Sequence, residues 1–207
     1  MNTLAQEAEY QARRGPQAFD AWLAERSVPI VDGRSVTFVW RGEADEVLLR
    51  HWIHGLVGGL PFHRVHGTQV WLLSIDVPEG SRVEYKLEVA RWGERRLLAD
   101  PLNQHAAADP YGANSVVHGH GYTPPEWILP DSEARAGELR THHLHSQAFG
   151  GERRVQVYLP ARFRTTRRYP LLVVHDGEEY LRFAAFKTVL DNLIHRLEIP
   201  SMVVALT

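Results

Sequence analysis

The chain has no cysteine, which excludes disulfide frameworks, thiolate zinc sites and a cysteine nucleophile. Lysine is scarce: of 23 lysines and arginines, only Lys86 and Lys187 are lysine. There is no excess of positive charge, the formal net charge being −2, so no global basic field exists to hold nucleic acid. No apolar run approaches the roughly 20 residues that a membrane-spanning helix needs. Residues 1–9 show neither a basic start nor an apolar core, so no secretory signal is read there and the expected compartment is the cytoplasm.

What remains is ordinary globular composition. The 207 residues are 44% hydrophobic and 23% charged, enough for one large domain or two small ones. The first segment reads as helix, with Pro16 suited to a first helical position and Phe19, Trp22 and Leu23 following at helical spacing. From Ser35 onward the pattern changes to short β runs at 36–40, 46–53, 70–75, 83–89, 95–98 and 115–117. Glycine and proline separate them, as in Pro78-Glu79-Gly80 and Gly93. Short strands with turns about every ten residues suggest a β-sandwich.

Residues 124–137 hold Pro124, Pro125 and Pro130 and read as a linker, which places a first domain at 1–123 and a second at 138–207. After it, Leu139, Thr141, His143 and His145 alternate, and Gly150-Gly151 reads as a hairpin turn into a second strand at 153–160. Leu171-Leu172-Val173-Val174-His175 is apolar on both faces, as a central parallel strand would be. A helix is expected over 179–197, with one stripe of Phe183, Phe186, Leu190, Leu193 and Leu197. Met202-Val203-Val204-Ala205-Leu206 reads as a second buried strand, which completes a βαβ unit of an α/β fold. Two such strands would leave an edge uncovered, so the chain is expected to be the first portion of a longer one.

Two stretches carry a family resemblance. Ala99-Asp100-Pro101-Leu102-Asn103, with Ala108-Asp109-Pro110-Tyr111-Gly112-Ala113-Asn114-Ser115-Val116-Val117, resembles the end of an immunoglobulin-like, early-set domain. Arg154-Val155-Gln156-Val157-Tyr158-Leu159-Pro160, followed by Tyr169-Pro170-Leu171-Leu172-Val173-Val174-His175-Asp176-Gly177-Glu178, resembles the opening of esterase D-type α/β-hydrolases. Their order resembles the enterochelin (ferric-enterobactin) esterase family. The resemblance implies an early-set β-sandwich followed by the start of an α/β-hydrolase fold. It also implies a serine carboxylic-ester hydrolase that acts on a small-molecule ester, an iron-loaded siderophore, and needs no cofactor, nucleic acid or membrane.

Hydrolysis in that fold uses a serine on a Gly-x-Ser-x-Gly turn, then an acid and a histidine, in that chain order. None of the serines at 27, 35, 74, 81, 115, 132, 146 and 201 lies between glycines at i−2 and i+2. The triad is therefore expected outside these residues, and the chain alone is expected to be inactive. By resemblance, the Glu178 amide would donate to the oxyanion, with Gly177 shaping the turn. The rival reading of Asp176-Gly177 is a plain strand-to-helix turn.

Other candidates favour plainer readings. His142, His143 and His145 lie together without an acid at matching spacing, so surface histidines are expected rather than a metal site. His175 beside Asp176 suggests a dyad, but neighbours on a strand point to opposite faces, so His175 is read as structural. Arg164, Arg167 and Arg168 lie in an arginine-dense stretch that would attract an anionic substrate or else be a solvated loop. Trp40, Trp52, Trp71 and Trp92 read as core more readily than as sugar-stacking faces. Two alternatives stand beside the siderophore reading: an esterase for another acyl ester, and a non-catalytic glucan-binding early-set module. The oligomeric state is not legible.

Overall fold

The computed structural model describes residues 3–53 and 55–207. They divide into two compact units, Met1–Thr123 and Pro124–Thr207.

The first unit opens with helices α1 (Thr3–Arg14) and α2 (Pro16–Ala24). Gly15, at φ 118°, makes the corner between them, and Pro16 starts the second helix. Among the described residues ten strands follow: β1 (Ile30–Asp32), β2 (Ser35–Arg41), β3 (Glu46–His51), β4 (Leu60–Pro61), β5 (His63–Arg64), β6 (Val70–Asp76), β7 (Arg82–Arg91), β8 (Glu94–Leu98), β9 (Ala106–Asp109) and β10 (Gly112–His118). They form two antiparallel sheets. One has the order β1-β2-β6-β5, the other β4-β3-β7-β10-β9, with β8 also paired to β7.

The core explains the layering. On β3 burial alternates, with Val47, Leu49 and His51 inward. On β7, Tyr85, Leu87 and Val89 face the same interior. Val36 and Phe38 on β2 and Trp71 on β6 meet them from the other sheet, which gives a sandwich-type core. Alternation fails on β2, where Val36, Thr37, Phe38 and Val39 are all buried. The helices are the cause: Phe19, Trp22 and Leu23 cover the outer face of that sheet and bury Val39 and Leu72 against it. Each large side chain so buried contributes about 1.5–3 kcal/mol.

In the second unit, 124–137 is not free chain. Glu126–Ile128 form a 3-10 turn, and the carbonyls of Trp127 and Leu129 both accept from Asn192 Nδ2 at 2.8 Å. Strands β11 (Glu138–Ser146) and β12 (Gly151–Leu159) make a nine-pair antiparallel hairpin. Then come β13 (Leu171–Val174), helices α3 (Gly177–Phe183) and α4 (Phe186–His195), and β14 (Val203–Leu206). The sheet order is β11-β12-β14-β13, and β13 and β14 are parallel. Tyr158, Leu190, Val204 and Leu206 form the core of this unit.

Two expectations are corrected here. Strand β13 is not buried on both faces: Leu171, Leu172 and Val173 are 66%, 39% and 51% exposed. Among the described residues β13 pairs with β14 alone, so it is an edge strand. The single helix over 179–197 is two helices, because Ala185 takes a left-handed conformation, φ 49°, and breaks the run. The break re-aims the apolar stripe. Phe186, Leu190 and Ile194 pack on the core while Leu197 is 88% exposed. Among the described residues no helix is long and apolar enough to cross a membrane.

Candidate functional site

The second parallel strand sets the geometry of the turn after β13. Thr207 N–H donates to Val174 O at 2.9 Å, and Thr207 O accepts from Gly177 N–H at 3.1 Å. Between these bonds Asp176 takes a left-handed conformation, φ 55° and ψ 37°, which turns the chain sharply from strand into α3. Gly177 is buried, and a Cβ there would meet Leu206 Cβ and lie 2.7 Å from Leu206 Cα. Only glycine fits that approach. Beyond it, Tyr180 N–H donates to Asp176 O at 3.1 Å. Among the described residues no acceptor meets the amide N–H of Glu178 or Glu179. The turn thus presents two free donors from a backbone held on both sides.

The side chains nearby are polar. Arg154 on β12 pairs with the Glu178 carboxylate. Thr207 Oγ1 lies 3.2 Å from His175 Nδ1, on an exposed ring that touches no carboxylate among the described residues. Arg164, Arg167 and Arg168 lie in the loop between β12 and β13, before the strand whose far end carries the Gly177 turn. All three are exposed and have no carboxylate partner among the described residues. Their loop is ordered by Tyr169, whose hydroxyl accepts from Arg164 N–H at 3.1 Å and whose ring lies 5.2 Å from the Arg167 guanidinium. The cation at the turn itself is Arg154, which the sequence did not single out.

His142, His143 and His145 stand exposed along β11. The acid of the same strand, Glu138, lies distant from them at its start and is engaged by Arg140 through two 2.9 Å bonds, which hold its carboxyl below its ordinary value. Among the described residues no group of three or more His, Asp or Glu side chains is placed to hold a metal ion. Of the four tryptophans weighed, Trp71 is 7% exposed and belongs to the core, while Trp52 and Trp92 are 67% and 80% exposed. The face of Trp92 is covered by Arg91, 3.8 Å from the ring centre.

A polar node below the sheet escaped the sequence reading. Asp191 on α4 is 8% exposed and takes three donors: Tyr158 Oη at 2.8 Å, Gly137 N at 2.7 Å and Lys187 Nζ at 2.6 Å. Burial, then the neighbouring carboxylate, push the Tyr158 phenol well above its ordinary value and keep it a proton donor. Only the i, i+4 spacing of Lys187 and Asp191 was visible in advance. The other partners lie too far apart in sequence.

Residues 146–206 match the family model described as "Esterase: Putative esterase". That segment is esterase-like. It covers β12, β13, the turn at Gly177, both helices and β14. No curated protein matches the chain. Among solved structures, the chain is similar to a ferric enterobactin esterase from Salmonella typhimurium, with 21% identity and a TM-score of 0.65 over 90% of this chain and 57% of that one. An enterochelin esterase from Shigella flexneri gives 20% identity and a TM-score of 0.63 over 90% and 56%. The Shigella flexneri enterobactin esterase, solved in the presence of enterobactin, gives 22% and 0.59 over 83% and 51%. At that identity the likeness is one of fold. The chain spans little more than half the length of these relatives.

Proposed function

We propose that these residues serve a serine carboxylic-ester hydrolase. In this reading 1–123 is an early-set domain, 124–137 connects it, and 138–207 is the first part of an α/β-hydrolase domain. The observation that carries the proposal is the esterase match over 146–206, which falls on the second strand of the hairpin and the parallel βαβ unit that follows it. The likeness of fold to enterobactin esterases, which takes in 90% of the chain, supports the domain order.

The chemistry divides between this chain and sequence outside it. A serine attacks the ester carbonyl and gives its proton to a histidine, which passes it to the departing alcohol. Water then cleaves the acyl-enzyme and releases the acid. No serine here has the flanking glycines of a nucleophile elbow, so the triad is assigned to residues other than these 207. What this chain supplies is the amide of Glu178. It would donate to the tetrahedral oxyanion, and Gly177, clamped between Thr207 O and Leu206, keeps that amide in place. One such donor contributes about 3 kcal/mol to the transition state. The substrate assigned is an ester of an iron-loaded siderophore, an anion that the unpaired Arg164, Arg167 and Arg168 would draw in as a long-range field. Iron is cargo in this reading.

The test compares two proteins: the 207-residue chain, and the protein as encoded with whatever residues accompany it. The second should hydrolyse an aryl ester and a tris-catecholate siderophore ester, and the first should hydrolyse neither. Turnover by the 207 residues overturns the placement of the triad. Failure of the encoded protein on every ester overturns the esterase reading. Turnover of aryl esters without the siderophore ester overturns the substrate.

A further inference from the structure

The first unit contains a cavity of about 800 Å³, within the range of sites that hold small organic ligands. Its wall comes from four separate stretches: the α1–α2 corner, the end of β2, the turn between β5 and β6, and Leu102. Arg13, Arg41 and Arg64 line it, and no aspartate, glutamate or lysine does. Phe19, Val70 and Leu102 supply an apolar part of the lining. Three arginines, two of them paired with a carboxylate that lies outside the lining, are brought to one hollow from positions far apart in sequence.

The three guanidiniums are held without being used up. Arg64 Nε donates to Thr68 O at 2.8 Å, which fixes the side chain and leaves its terminal amino groups without a protein acceptor among the described residues. Arg41 pairs with Asp20 through Nη1 alone, and its guanidinium carbon lies 5.8 Å from the centre of the Phe19 ring. Among the described residues Arg13 reaches only Glu9, at 3.5 Å, and that carboxylate also meets His63 at 2.9 Å. A guanidinium carries five N–H donors, so each of the three keeps several for a ligand. Arginine's planar fork matches the two oxygens of a carboxylate or phosphate, which a lone ammonium does not. The rim is open: a side chain added at Gly15 or Gly67 would meet no atom within 4 Å.

We propose that this cavity binds a small organic anion: a molecule with two or more carboxylate or phosphate groups on an apolar body. Its oxyanions pair with Arg13, Arg41 and Arg64, and its body lies against Phe19, Val70 and Leu102. The site lies wholly within residues 1–123 and does not depend on the esterase reading, since its test is binding and not turnover.

The test is fluorescence titration of the 207-residue chain with 8-anilinonaphthalene-1-sulfonate, an aromatic anion, followed by displacement with pyrophosphate. Three variants accompany it. R13A/R64A removes two cations that make no buried bond. Gln69→Trp places bulk in the cavity wall without changing charge. R95A/R96A removes two cations from β8, away from the cavity. The proposal expects saturable binding at one site, displaced by pyrophosphate, and weakened at least tenfold in both R13A/R64A and Gln69→Trp. It expects R95A/R96A to bind as the parent does. Circular dichroism identical to the parent keeps a loss of binding from being a loss of fold. If R13A/R64A binds as the parent does, or Gln69→Trp leaves affinity unchanged, or R95A/R96A weakens binding equally, the proposal is overturned. Equal binding of the neutral analogue N-phenyl-1-naphthylamine overturns its ionic part.

Discussion

Gly177 leaves no room for a side chain against Leu206: a Cβ would lie 2.7 Å from Leu206 Cα and 2.9 Å from its carbonyl carbon. Backbone therefore packs on backbone, and trimming Leu206 relieves only part of the clash. Gly177→Ala should destabilise the second unit by about 1–3 kcal/mol, the usual range for overpacking. Denaturant unfolding followed at Trp127 reads this. In the encoded protein, retained at a temperature where the variant is folded, aryl-ester kcat should fall while KM holds, because the Glu178 amide moves off the oxyanion. Equal kcat in a folded Gly177→Ala variant removes the turn from the reaction.

Much of the layout was legible because it rests on local pattern. The runs at 36–40, 46–53, 70–75 and 83–89 became β2, β3, β6 and β7, bounded by turn glycines and prolines. What stayed hidden depends on neighbours. Nothing local in Ala184-Ala185 marks a helix break, since alanine is the best helix former. Nor does Leu171-Leu172-Val173 state whether a strand lies on its far side. The Gly177 turn was readable from Asp-Gly after an apolar run. The closeness of Leu206, 29 residues later in the sequence, was not. Arg13, Arg41 and Arg64 gather only once the fold exists.

The Asp191 node should resist substitution in a definite order. Tyr158→Phe removes one donor and leaves the carboxylate two others, a loss of about 1 kcal/mol. Asp191→Ala strands a buried phenol and the Gly137 amide, a loss of roughly 2–4 kcal/mol as two unsatisfied donors. Lys187→Met should be mildest, because the ammonium is partly exposed. Urea unfolding of the three variants checks the ranking, and an Asp191→Ala protein as stable as Tyr158→Phe would show that the node carries no such load.

The first unit has its own buried carboxylate. Asp100, 3% exposed, accepts from Tyr85 Oη at 2.7 Å and Leu102 N at 2.9 Å. Burial raises its carboxyl above the ordinary value despite both bonds. A raised folded value means stability that is present below the unfolded value of 3.8 and lost as pH rises through the folded one. At neutral pH the charge is thus a cost. Asp100→Asn removes the charge and keeps one oxygen to accept from Leu102 N–H, its NH2 then facing Tyr85 Oη as a donor, and should match or exceed the parent's stability at pH 7, while Asp100→Ala should lose about 1–3 kcal/mol from orphaned donors. Thermal melts at pH 7 and pH 4 test both, and the advantage of Asp100→Asn should shrink at pH 4.

His118 sets the opposite slope. Its ring stacks on Tyr122 at 4.4 Å between centres and lies 4.9 Å from His105, with Arg82 nearby. Burial first, then the charges of His105 and Arg82, lower its value below 6.5. The unfolded chain therefore takes up a proton near pH 6.5 that the folded one refuses, so stability falls as pH drops from about 6.5 toward the folded value. Replacing the ring by Phe keeps the stack with Tyr122 and removes the proton. His118→Phe should lose less stability than the parent between pH 7.5 and pH 5.5, read as the difference in urea midpoints. Parallel losses in the two proteins would place the acid sensitivity on another group.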